Sequence, residues 1–147
     1  MRVRCLYNTG DALRPFEYES LMKEMLGRFG VTGYSKFGEL DLGKQYLVMG
    51  VIVFKTYQAY LIDDGRAVSA CPCQLFEVLD DRTNPNWHFR IIEKDEDVYP
   101  FVQALFGYYE LCHDRKSYEN LIVEKDEASL RTYFRQKVEY EKMEGNF

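Results

Sequence analysis

Four cysteines, Cys5, Cys71, Cys73 and Cys112, and two histidines, His88 and His113, have the widest chemical reach in this sequence. Cys71-Pro72-Cys73, joined by Cys5 or by Cys112-His113, is the set that could hold zinc, which takes about four ligands converging tetrahedrally. The spacing argues against it. Zinc motifs usually pair ligands about two to four residues apart, whereas here one pair has a single residue between its thiols and the other ligands lie far off in the chain. Cys5 and Cys112 read better as small core residues, because buried free cysteine is common. The Cys-Pro-Cys bend reads as the start of a strand. No metal ligand and no cofactor is assigned.

A cysteine nucleophile needs a thiolate and a base beside it. Cys112 and His113 are adjacent in sequence, but neighbours on a helix point about 100° apart. The paired carboxylates Asp63-Asp64 and Asp80-Asp81 each close a strand and open a turn, where Asp bonds nearby backbone N–H groups. Acid–base or two-metal catalysis would need them to converge with further groups. No phosphate-cradling glycine loop, serine elbow or zinc-protease helix occurs. The sequence therefore assigns no catalytic residue and points away from an enzyme.

The remaining chemical signal is electrostatic. Between Glu77 and Asp97 seven carboxylates face three cations, an excess of four negative charges, with Trp87, Phe89 and Tyr99 interleaved. One reading is a solvated rim. The sharper one is a docking face for a basic partner, with aromatic anchors supplying contact and carboxylates supplying steering. Its candidate contact residues are Asp80, Asp81, Trp87, Glu93 and Asp95.

These residues need elements to position them. Arg2 to Tyr7 reads as a strand with Val3, Cys5 and Tyr7 on one face. Pro15 opens a helical stretch over 15–30, with Tyr18, Leu21, Met22, Met25, Leu26 and Phe29 at helical spacing. Gln45 to Lys55 is the strongest strand, rich in Val, Ile and aromatics. Tyr57 to Asp63 and Arg66 to Ala70 form a hairpin around Asp-Gly. Leu75 to Asp80 and Trp87 to Ile92 are expected to pair as the next two strands. The period then changes: Val98, Phe101, Val102, Leu105, Tyr109 and Cys112 predict a helix. Asp126 caps a last helix bearing Leu130, Tyr133, Phe134 and Val138.

The predicted fold class is α+β: a strongly bent antiparallel sheet or small SH3-like barrel, with an inserted N-terminal helix and C-terminal helices. Residues 1–147 are expected to form a single domain, with a β core over about 2–92 and a helical part over about 97–143. Aromatics reach 16% of the residues, twelve of them Tyr, which suits half-buried sheet faces and contact surfaces. A formal charge of −5 disfavours nucleic acid and favours a basic partner. No signal peptide is recognisable and no apolar run is long enough to span a bilayer. The expectation is a cytoplasmic protein with reduced thiols and no membrane partner.

Several segments carry a resemblance when taken in order. Gly43-Lys44-Gln45-Tyr46-Leu47-Val48-Met49-Gly50-Val51 is followed by Tyr60-Leu61-Ile62-Asp63-Asp64, then Leu75-Phe76-Glu77-Val78-Leu79-Asp80 and Trp87-His88-Phe89. The order resembles small bacterial proteins with an SH3-like β core, some of them immunity proteins of polymorphic-toxin systems. The resemblance covers roughly 2–8, 43–92 and 118–141. It implies a non-enzymatic protein that binds and neutralises a cognate toxin, and it carries over no functional residue. The rival readings are a metal- or thiol-dependent enzyme and a small-barrel adaptor or nucleic-acid module. A homodimer is compatible with all three.

Overall fold

The computed structural model of the chain describes residues 1–17, 25–37, 40–94, 96 and 101–145. β1 spans Arg2–Cys5, with Val3 and Cys5 buried on one face; the strand expected as far as Tyr7 ends two residues earlier and Tyr7 is exposed. A 3₁₀ turn over Gly10–Phe16 buries Leu13. The short strands β2, Met25–Leu26, and β3, Val31–Thr32, pair with each other. The helix expected over 15–30 is thus corrected at both described ends. Tyr18, Leu21 and Met22 lie outside the described residues.

The central β region comprises β4 (Gln45–Leu47), β5 (Gly50–Phe54), β6 (Gln58–Asp63), β7 (Val68–Pro72), β8 (Phe76–Asp80), β9 (His88–Ile91) and β10 (Val102–Gly107). Two larger antiparallel sheets result. One has the order β4-β1-β8 and the other β7-β6-β5-β10-β9. They are not closed into a barrel, so the SH3-like barrel expected as one alternative is replaced by two sheets.

The chain crosses between those sheets three times, at β4–β5, β7–β8 and β8–β9. The single strand predicted over 45–55 breaks at Val48-Met49, both buried, where Met49 donates its N–H to Leu61 O at 2.8 Å. β4 therefore belongs to the small sheet and β5 to the large one. β7 likewise ends at Cys71-Pro72, and a 3₁₀ turn over Cys73–Leu75 leads into β8 of the small sheet. The Cys-Pro-Cys bend ends one strand rather than beginning it. Pro72 sits at the last residue of an edge strand, where a missing N–H costs no interior ladder bond.

β8 and β9 do not pair, contrary to expectation. β8 lies against β1, and β9 lies against β10. Of the helix expected from Val98 to Cys112, Val98 lies outside the described residues, 102–107 form a strand and only the end, from Tyr109, is helical. Apolar residues at 102, 105, 109 and 112 satisfy helical spacing, but β10 finds ladder partners on both sides, which outweighs a local period. Gly107 reinforces that choice, because it faces Gly50 across the ladder. A Cβ on Gly50 would lie 2.9 Å from Phe106 O and 2.7 Å from Leu111 Cδ2. The two glycines let α1, Tyr109–His113, sit close on the sheet.

A π-helical turn over Glu119–Val123 precedes α2, Glu127–Glu144. The expected cap is present: Asp126 accepts the Ser129 N–H at 3.0 Å. Tyr133 is buried, while Val138 is 51% exposed, so the packed face turns toward Lys137 and Tyr140 rather than Val138. Tyr133 OH and Lys137 Nζ donate to Asp63 Oδ1 at 2.8 and 2.9 Å, fastening the helix to the β6–β7 hairpin.

Two apolar clusters form the core. One lies beneath β5, β6 and β10, where Ile52, Leu61 and Leu105 meet Leu111 and Tyr133. The other gathers Val3, Cys5, Leu13, Ile62, Cys71 and Leu75. Leu61 and Ile62 are consecutive and both buried, so β6 is covered on both faces. Trp87 is packed against both clusters.

Candidate protein-binding edge

Cys5 and Cys71 share one core cluster, and Cys112 lies in the other. Burial pushes the Cys71 thiol up to about 12 and the Cys112 thiol up to about 11, and it raises Cys5 and Cys73 as well. Each shift favours the neutral thiol over the thiolate that attack or metal ligation requires. Cys112 Sγ donates to His88 O at 3.3 Å, a backbone contact with no base in it. The rings of His88 and His113 meet each other at 5.2 Å. Among the described residues no group of three or more His, Cys, Asp or Glu side chains could hold a metal ion.

The carboxylate pairs perform turn duty. Asp64 Oδ1 accepts the Ala67 and Arg66 N–H groups at 2.8 and 2.9 Å, and these bonds hold its carboxyl below the usual range. Gly65, at φ +98, supplies the positive φ between them. Asp80 Oδ1 accepts the Arg82 N–H at 3.0 Å, and the Arg82 guanidinium grips both its oxygens, which pulls its carboxyl strongly down. Asp63 differs from the rest. Its side chain is 1% exposed and is satisfied by Tyr133, Lys137 and the Gly65 N–H.

The acidic stretch is partly neutralised. Glu77 faces Arg4 at 3.5 Å, Asp80 is gripped by Arg82, and Glu96 pairs with Arg90. Asp81 and Glu93 are exposed and carry no ion pair among the described residues. Asp95, Asp97 and Tyr99 lie outside the described residues. Trp87 is half-buried, with its ring 5.0 Å from Phe106 and 6.2 Å from Tyr140. It stands at the root of β9 as a packed post. Asp80 and Asp81 close β8 in the other sheet, so the expected contact residues occupy two sheets rather than one strip.

β9 itself is the feature that sequence reasoning missed. It is an outer strand, and among the described residues nothing pairs with its free side. Ile92 donates its N–H to Gln103 O across β10 at 2.8 Å. Antiparallel alternation then turns the N–H and C=O of Arg90 and His88 toward β10, and those of Phe89 and Ile91 outward. The same two residues expose their side chains, Phe89 by 60% and Ile91 by 61%. Phe106, Val51 and Val53, on the neighbouring strands of that face, are only half-buried, because the small sheet packs over the β6–β7 half. Alternation of Trp87, Phe89 and Ile91 against His88 and Arg90 is visible in the sequence. That β9 has only one neighbour is not.

Chemically the edge offers unpaired backbone donors and acceptors, an apolar face beside them, and the free carboxylate of Glu93 two residues beyond the strand. That arrangement can add a strand. Compared with protein-family models, curated proteins and solved structures, the chain matches none.

Proposed function

We propose that this chain is a non-enzymatic protein-binding protein that takes an extended segment of a basic partner as a sixth strand beside β9. The observation that carries the reading is the coincidence on Phe89 and Ile91 of outward backbone groups and exposed apolar side chains. Exposed edges of this kind are normally blunted by charge, proline or a covering element. On β9 neither charge nor proline stands at the two outward positions, and among the described residues no strand pairs with that side. Strand addition draws affinity from main-chain bonds and specificity from alternate side chains, here received by the Phe89–Phe106–Val51 face. The net charge of −5 and the free Asp81 and Glu93 favour a basic partner.

Within that class the specific reading is an immunity-type inhibitor of a toxin domain. It rests on the order of core and turn segments from Gly43 to Phe89 and on the acidic balance. Fold resemblance alone is weak support for function, so the experiment addresses both levels. The tagged chain and its Ile91→Pro variant are used in parallel to capture protein from host lysate. Proline at 91 removes an outward N–H and leaves the β10 ladder intact. A basic partner held by the native chain and released by the variant, with circular dichroism unchanged, supports the edge. Equal capture by both overturns it. Expressing the partner alone must arrest growth, and co-expression must restore it; a harmless partner removes the toxin reading. A concentration-dependent dimer abolished by Ile91→Pro would instead assign the edge to a second copy.

A further inference from the structure

A cavity of about 410 Å³ opens where β5 passes into the turn at Lys55–Tyr57, and among the described residues none of β9 lines it. Its walls are aromatic: Phe29, Phe54, Tyr57, Phe101 and Tyr118. Four of these rings pack on one another, Phe29 on Tyr57 at 5.2 Å, Phe54 on Tyr57 at 4.8 Å and Phe54 on Tyr118 at 5.5 Å. Mutually packed rings keep their rotamers, so the walls are pre-formed.

Among the described residues the charged ones that line this cavity are Arg28 and Lys55, both cations. Arg28 is fixed in place: its Nε donates to Thr56 O at 3.0 Å and its Nη1 to Phe16 O at 2.7 Å. Glu17 accepts the Arg28 backbone N–H at 2.7 Å and is not a lining residue. Lys55 is exposed, and its ammonium has no ion pair or hydrogen bond among the described residues. Its backbone N–H is used, donating to Phe101 O at 2.9 Å, which anchors the residue at the rim. An aromatic slot rimmed by an unpaired ammonium complements one kind of molecule: a flat apolar body carrying an anionic group.

We infer that this cavity is a small-molecule site for a planar aromatic anion, an aromatic carboxylate or sulfonate in chemical class, with the ring between Phe54, Tyr57 and Phe101 and the anion at Lys55. The site is separate from the β9 edge, and either can fail without the other.

Anilinonaphthalene sulfonate serves as the probe, because it is an aromatic anion whose naphthalene ring is flat and which fluoresces on leaving water, and the neutral phenylnaphthylamine is its uncharged counterpart. The native chain is expected to bind one equivalent of the sulfonate. Lys55→Gln should weaken that binding about fivefold, the scale of one partly exposed charge pair. Lys55→Arg should retain it, and the neutral probe should bind the native chain and Lys55→Gln equally. Phe89→Lys, on the β9 face, should leave both probes unaffected. Lys55 is exposed, so its variants keep the fold, which circular dichroism checks. Sulfonate binding that is absent, that Lys55→Gln leaves unchanged, or that Phe89→Lys abolishes overturns the inference.

Discussion

Lys137→Met isolates the contact that docks the long C-terminal helix. In the native chain Lys137 Nζ lies 2.9 and 3.0 Å from the two oxygens of Asp63, and the Asp63 side chain is 1% exposed. Removing the ammonium leaves a carboxylate in the interior with only the Tyr133 hydroxyl and the Gly65 N–H. Breaking a fully buried pair from one side costs about 3–5 kcal/mol. Lys137 keeps a quarter of its side chain in water, so solvent screening brings the cost below that range, to about 2–3 kcal/mol. For a chain of this length that corresponds to a fall of about 4–12 °C in melting temperature. Urea unfolding followed by the fluorescence of Trp87, the single tryptophan, measures it, since that ring packs against Tyr140 of the same helix. The double variant Asp63→Leu/Lys137→Met should recover part of the loss, since it removes the orphaned charge but leaves the Tyr133 hydroxyl and the Gly65 N–H without their acceptor. A single variant within about 0.5 kcal/mol of the native chain, near the level of an ordinary surface change, would refute the reasoning.

Gly50→Ala should destabilise by about 1–3 kcal/mol, since its Cβ would meet the Phe106 carbonyl at 2.9 Å with a ladder strand on either side; an unchanged thermal melt would show that the close approach is relaxed. At pH 8 Cys71 and Cys112, held as thiols by burial up to about 12 and about 11, should resist a disulfide reagent while the less buried Cys73 reacts first. Rates at the two buried thiols should rise with pH, and an early fast phase that survives Cys73→Ser would contradict this order. Reversing Asp80 and Asp81 to Lys should slow association with a basic partner, more at low salt than at high salt. An unchanged association rate across that salt range would take the β8 end out of the binding face.

How legible the fold was depended on whether a signal was local. The Asp126 cap, the Asp64-Gly65 hairpin and the Val3/Cys5 alternation each rest on neighbours in the chain, and each is present in the structure. The failures are tertiary. Residues 102–112 fit a helical period, yet pairing with β5 and β9 gives 102–107 more than a helix could. The break at Val48-Met49 is invisible inside an apolar run, because both halves look like strand and only the second sheet separates them. The candidate site was half legible for the same reason. Trp87 and the acidic residues stand out by type, while the exposed backbone of Phe89 and Ile91 is a property of what does not lie beside β9.

The small sheet carries a consequence for how the chain reaches this state. β1 takes residues 45–47 on one side and 76–80 on the other, both far along the chain, whereas β5, β6 and β7 join through short turns. Closing long loops costs entropy before any contact repays it, so the hairpins are expected to form early and the β1 pairings late. During synthesis β1 is made before either of its neighbours, and chain growth at about 5–20 residues per second sets a wait of several seconds. Throughout that interval Val3 and Cys5, buried at the end, have no sheet to enter. The strand made first is the one seated last, and β8 completes the small sheet.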